Sequence, residues 1–211
     1  MKSSALKSVR LDVEWSAQTV LPMEFKGREY KLEARAYQGA DPTYQAMVLI
    51  NRGEGPDANA IPVVRVHSGC VTGDIFHSLR CDCYAQLQAA LDQVVARPNG
   101  TLIYLPYHEG RGIGLVNKIR AYALQDQGYD TVDANVEIGA PIDGREYDLA
   151  AKILFDLNFP EIRLLTNNPA KVEALRSEGV TVLEQISVIV PPSPHNKRYL
   201  DTKRERMAHK F

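Results

Sequence analysis

Residues 62–107 read PVVRVHSGCVTGDIFHSLRCDCYAQLQAALDQVVARPNGTLIYLPY. The stretch opens on a run of β-formers, Pro62 to Gly69, and then passes through three cysteines within fourteen residues, Cys70 to Cys83. Helical spacing follows over AQLQAALDQVVA, residues 85–96, and NGTLIYLPY, residues 99–107, is a turn leading into an apolar strand. Strand, helix and strand in that order form the repeating unit of an α/β core.

Upstream the chain is strand-like. SVRLDVEW (8–15), REYKLEARAYQG (28–39) and QAMVLINR (45–52) alternate or cluster β-formers, and RGEGPDANAIP (52–62) is the clearest loop. Downstream, strands and helices alternate. IGLVNKIRAYALQDQG (113–128) predicts an amphipathic helix with Gly128 at its C-terminal cap, and EYDLAAKILFDLNF (146–159) predicts another. EIRLLT (161–166) reads as a strand, NPAKVEALRSEG (168–179) as a capped helix, and VTVLEQISVIV (180–190) as one or two strands. The expected fold is mixed α/β (α+β), an antiparallel-rich N-terminal section followed by alternating strands and helices. The expected division is residues 1–61, a β-rich section packed on the core, and residues 62–211, the unit of alternating strands and helices.

The chain has 211 residues, 45% of them hydrophobic, with 25 basic and 26 acidic side chains. A net charge of −1 gives no electrostatic footprint for nucleic acid, so an anionic ligand has to be held by local cations and amides. No apolar run reaches bilayer-spanning length and the N-terminus lacks a signal-peptide core, which predicts a cytoplasmic protein with no membrane partner. Thiols stay reduced there, so three crowded cysteines point to metal or catalysis rather than to disulfides.

Cys70, Cys81 and Cys83 are three soft ligands within reach of one ion, and zinc suits them. Three protein ligands leave a position for water, as catalytic sites do; a fourth, from His67 or His77, would close the site as structural ones are closed. On chemistry alone the two stand level.

Three segments carry a resemblance: RVHSGCVTGDIFHSLRCDC (65–83), EGRGIGLVNKIRAYALQDQGYDTVDAN (109–135) and RLLTNNPAKVEAL (163–175). Together they resemble GTP cyclohydrolase II, which opens GTP at the start of riboflavin synthesis. The similarity covers about Pro62 to Phe211. It implies a catalytic zinc on Cys70, Cys81 and Cys83, activating water for attack at C8 of guanine. Formate and pyrophosphate leave, giving 2,5-diamino-6-(5-phosphoribosylamino)pyrimidin-4(3H)-one. The resemblance also implies Mg²⁺ with the triphosphate and a homodimer.

By the same resemblance Tyr122 works at the base, Glu109 reads or positions guanine, and Gly110 and Arg111 lie near the nucleotide. A carboxylate suits guanine because it accepts from both N1–H and N2–H. In TNNPAK (166–171), Asn168 is placed to cap a helix and Pro169 to start it; Thr166 and Lys171 add a hydroxyl and a cation at an anion seat. Asp143 and Arg145 match the family's acid–base aspartate and an arginine proposed as nucleophile. Arginine holds its proton too firmly for that, so transition-state charge stabilisation is the role assigned to it here. Arg65, Val66, His67, Ser68, Gln86 and Thr131 match further nucleotide contacts.

Three features depart from the family's usual pattern. Gly69 precedes Cys70 where glutamate is common; Leu105-Pro106-Tyr107 stands where an arginine is usual, gaining a rigid ring and a phenol near the pocket; and the first sixty residues carry little of the resemblance. They keep two alternatives open. One is a paralogue that retains the formyl group or uses another nucleotide. The other is a non-catalytic nucleotide-binding regulatory protein with a structural zinc.

Overall fold

The computed structural model describes residues 13–53, 60–190 and 196. Its β-strands are β1 (Glu14–Phe25), β2 (Arg28–Gln38), β3 (Gln45–Asn51), β4 (Val63–Ser68), β5 (Gly100–Leu105), β6 (Glu161–Leu165) and β7 (Thr181–Ile186). They form one sheet in the order β1-β2-β3-β5-β4-β6-β7. The first three strands and the β3–β5 pair are antiparallel, whereas β5, β4, β6 and β7 run parallel. This is the mixed architecture expected, an antiparallel meander joined through β3 to a parallel α/β half.

Local chemistry explains the meander. Lys26 and Gly27 both take positive φ, 52° and 74°, the two-residue turn whose twist matches a hairpin. β3 alternates buried and half-exposed residues along its length, as a strand with one covered face should. The strand expected at residues 8–15 is instead β1, beginning at Glu14, while residues 8–12 lie outside the described residues. Pro22 within β1 obscures the strand in the sequence and is tolerated because β1 is an edge strand.

The helices are α1 (Cys83–Val95), a one-turn α2 (Glu109–Gly112), α3 (Gly114–Asp126), α4 (Thr131–Glu137), α5 (Asp148–Asp156) and α6 (Pro169–Ser177). α1 packs Leu91 and Val94 against Leu102 and Phe25 on one face of the sheet. On the other face α5 and α6 pack Leu149, Ile153, Val172 and Leu175 against Val48, Val64, Val66 and Ile103. α4 is an element beyond those the sequence pattern predicts, and Asp130 caps it by accepting from Val132 N at 2.7 Å and Asp133 N at 2.9 Å. The C-terminal apolar run forms a single strand, β7, and the polar tail beyond Val190 lies outside the described residues save Asn196.

The order of the parallel strands positions the site. From β4 the chain crosses through α1 to β5 on one side, and later reaches β6 on the other side of β4. Such a reversal opens a crevice at the carboxyl ends of the strands involved. Here those ends are Ser68, Leu105 and Leu165.

Candidate functional site

A cleft of about 1020 Å³, counting the space open to solvent, lies at these strand ends. The three cysteines converge at one side of it. A single π-helical turn, Val71–Ile75, follows β4 and folds back so that Cys70 meets Cys81 and Cys83 at the start of α1. The three sulfurs lie within 4.8 Å of one another, and Cys70 and Cys81 Sγ are 3.8 Å apart. Tetrahedral zinc with Zn–S bonds of about 2.3 Å requires sulfurs about 3.8 Å apart, so the spacing fits the ion. Gly73 packs over the cluster so closely that a Cβ there would stand 2.9 Å from Cys81 Sγ and 3.0 Å from Cys70 Sγ.

Neither candidate fourth ligand joins the group. His67 Nε2 lies 3.2 Å from the Asp74 carboxylate, and His77 packs at a tilt against Tyr84 with ring centroids 3.9 Å apart. Among the described residues the cluster therefore offers three protein ligands. Hydrogen bonds from Cys81 and Cys83, with Lys118 adding its charge, hold the Cys70 thiol far below its ordinary range. Cys81 is pushed up to about 11, chiefly by its hydrogen bond to the Cys70 sulfur, with burial adding to it.

A buried polar frame supports the cluster. Lys118 Nζ donates to Cys70 Sγ at 3.0 Å and to Glu109 Oε1 at 2.6 Å, with both charged side chains nearly inaccessible. Glu109 Oε2 accepts from Val71 N at 2.6 Å, so the carboxylate ties the α2 turn to the residue after Cys70. Asp74 accepts from Cys70 N at 2.9 Å and from Tyr104 OH at 3.0 Å, fixing the turn from inside. Burial pushes the His67 imidazole below its ordinary pKa despite this carboxylate, which favours the neutral ring.

Much of the remaining lining of the cleft is cationic. Arg65, on buried β4, donates to Leu165 O at 3.0 Å and to Gln86 Oε1 at 2.6 Å. Lys171, on α6, reaches across to Val66 O at 2.7 Å. Asn168 caps α6, accepting from Ala170 N at 3.0 Å with Pro169 at the first position, and Asn168 N donates to Thr166 Oγ1 at 3.1 Å. Arg145 is gripped by Asp143 through Nε, 2.8 Å from Oδ1, and through Nη2, and it extends Nη1 to 3.4 Å from Ser68 Oγ. Burial works against the Asp143 charge, but the Arg145 guanidinium outweighs it and holds the carboxyl below its ordinary pKa.

Most of the residues singled out in the sequence line this one cleft: the three cysteines, Arg65, His67, Ser68, Gln86, Gly110, Arg111, Tyr122, Thr131, Arg145, Thr166 and Lys171. Three do not. Val66 turns its side chain into the core and reaches the site only through its carbonyl. Asp143 stands behind Arg145. Glu109 has both carboxylate oxygens engaged within the protein and is not part of the cleft wall.

Lys118, Asp74 and His108 were missed by sequence reasoning. Lys118 lies four residues before Tyr122, the spacing of one helix face, and that was its available signal. His108 accepts at Nδ1 from Ser68 Oγ, 3.2 Å away, because its Nε2–H is committed to Glu146 O at 2.7 Å. Burial, then the Lys171 charge, lowers His108 to about 3, so it stays neutral.

The departures acquire a physical basis. A Cβ at Gly69 would stand 2.9 Å from Pro106 Cα and 3.0 Å from Leu105 O, so the two unusual positions are one close backbone contact. The phenol expected near the pocket is elsewhere. Tyr107 stacks on Tyr44 at 4.5 Å and 9°, packed against the core, and neither it nor Pro106 lines the cleft.

An α/β sheet whose switch-point crevice gathers three thiols and several cations defines a protein of the class that offers soft metal ligands beside an anion seat. Residues 14–187 match the profile of the GTP cyclohydrolase II family, and the chain belongs to that family. The match begins in β1, well upstream of Pro62, so the family likeness reaches into the first sixty residues as well. The GTP cyclohydrolase-2 of Acinetobacter baumannii is 45% identical over 203 residues, 95% of this chain and 98% of that protein. The riboflavin biosynthesis protein RibBA of Salinispora arenicola is 53% identical over 164 residues, 78% of this chain and 38% of its own length. This chain thus spans about two fifths of that relative. Among solved structures, the two-domain 3,4-dihydroxy-2-butanone 4-phosphate synthase RibBX of A. baumannii aligns over 86% of this chain and 43% of its own. It does so with 18% identity and a TM-score of 0.42, too remote to bear on fold or function.

Proposed function

We propose that this chain is a zinc-dependent GTP cyclohydrolase II, opening the guanine imidazole ring of GTP at C8 with release of formate and pyrophosphate. The observation that carries the reading is the convergence of three thiols, without a fourth protein ligand among the described residues, in one cleft with the buried cations Arg65 and Lys171. Zinc held by Cys70, Cys81 and Cys83 would supply a water made acidic enough to yield a nucleophile near neutral pH. Tyr122 lies on the same side of the cleft, one helical turn beyond Lys118, and suits the base. Arg65 and Lys171 are already anchored to backbone carbonyls, so their charges await the phosphates without reorganising. Asp143 is ionised and grips Arg145, orienting the guanidinium for charge on the α-phosphoryl group rather than serving as a proton source at neutral pH. Glu109 acts by holding Lys118 and the α2 turn instead of reading the guanine edge. Mg²⁺ would accompany the triphosphate, held mainly by phosphate oxygens and water. A homodimer and a cytoplasmic setting complete the reading on family membership.

Incubation of zinc-loaded protein with GTP and Mg²⁺, with formate and pyrophosphate measured separately and the product weighed by mass spectrometry, tests it. Equal release of both supports the full reaction. The absence of a side chain at Gly69, beside Cys70, favours one second reading, ring opening with retention of the formyl group; pyrophosphate without formate identifies it. Nucleotide binding with no turnover by metal-loaded protein overturns both in favour of a regulatory role.

A further inference from the structure

The zinc reading leaves one buried cation without a part. Lys118 is 7% exposed, and its ammonium sits between a sulfur of the cluster and a carboxylate, at 3.0 Å and 2.6 Å. We propose that Lys118 is the positioning residue of the thiol cluster, neutralising and orienting Cys70, and that Glu109 exists to hold it there. The inference rests on the zinc assignment above and extends it to two residues that do not themselves hold the ion.

Three thiolates around a divalent ion leave a net charge of −1, in a site where charge is poorly screened. An ammonium on one sulfur cancels that charge. A hydrogen bond to a ligating sulfur also draws electron density from it and fixes its direction, the usual work of groups just outside a metal's ligands. Cys70 takes a second, backbone donor, Gly73 N at 3.3 Å, so its sulfur is held from two sides. Glu109 is in turn fixed by Val71 N at 2.6 Å and Gly110 N at 3.1 Å. The chain from α2 through Glu109 and Lys118 to Cys70 therefore closes on the residue next to Cys70. A solvated surface pair has no reason to be built in this way.

The competing explanation is that Lys118 only neutralises Glu109. Lys118→Met and the double variant Glu109→Gln/Lys118→Met separate the two, because the double variant strands no buried carboxylate. In the full chain, zinc affinity is measured by competition with a chromogenic chelator, and folding by circular dichroism. Both variants are expected to bind zinc about 10–100-fold more weakly than wild type, with the double variant recovering stability but not affinity. Lys118→Arg, which keeps the charge, is expected to bind zinc more tightly than Lys118→Met. A folded double variant with wild-type zinc affinity overturns the inference, as does Arg and Met equivalence at position 118 should the double variant fail to fold. A wild-type chain that takes up no zinc overturns the zinc assignment and this inference with it.

Discussion

Gly73→Ala places one methyl group in the space bounded by the three cysteines. Its Cβ would lie 2.9 Å from Cys81 Sγ, 2.9 Å from Cys83 Cβ and 3.0 Å from Cys70 Sγ, all inside van der Waals contact. The backbone at Gly73 is not in the left-handed region, so the perturbation is steric rather than conformational. Relief requires the sulfurs to spread or the π-helical turn to lift, and Asp74 resists the second by holding Cys70 N and Tyr104. Overpacking of this kind costs about 1–3 kcal/mol. For a chain of this length that lowers Tm by about 2–12 °C. Spreading the sulfurs beyond the 3.8 Å now separating Cys70 from Cys81 should also cost zinc affinity, about tenfold or more. Gly69→Ala is the control: its Cβ meets Pro106 Cα at the same 2.9 Å but faces no sulfur. It is expected to lower Tm comparably and keep its zinc. Differential scanning calorimetry and chelator competition on both variants provide the readouts. Unchanged zinc affinity in folded Gly73→Ala, or equal zinc loss in both variants, would refute the role given to the glycine.

Arg145→Lys cannot reproduce the two-pronged grip of Asp143, and kcat should fall about 10²-fold or more while zinc content stays unchanged, as steady-state kinetics and metal analysis would show. Asn168→Ala removes the cap of α6, at a cost of about 1 kcal/mol, seen as a Tm lower by about 2–4 °C. Tyr37 is pushed up to about 12 by burial and by its 2.7 Å bond to Asp156. A raised pKa means the native state keeps the proton longer. This contribution is whole below the unfolded value of about 10 and is lost as pH rises towards 12, about 2–3 kcal/mol in all. Urea unfolding between these pH values should therefore show a shallower decline in Tyr37→Phe than in wild type.

How much of the site was legible depended on the range of each signal. Asn168-Pro169 and Gly128 declared helix ends because capping is settled within a few residues. The cysteines declared a metal site because three soft ligands crowd into fourteen residues. Glu109 shows the opposite case. The resemblance implies a carboxylate at the guanine, and only the fold shows its bonds to Lys118 and to Val71, the latter 38 positions away. Val66 and Tyr107 likewise sit beside cleft residues in the chain, yet Val66 is buried in the core and Tyr107 packs against it.

The sequence by itself determined most of the elements, though not α4 or the extent of β1, the alternation that made the second part α/β, and the set of side chains able to bind metal and phosphate. Period, caps and ligand chemistry are local properties, and each residue carries them wherever the chain goes. Only the tertiary structure decided that β4 lies between β5 and β6, which opens the crevice and draws Arg65, Arg145 and Lys171 to one wall. It alone removed His67 and His77 from the thiol cluster and supplied Lys118 to it. Those outcomes depend on which buried groups find partners once the sheet is packed, and residue spacing along the chain does not encode that competition.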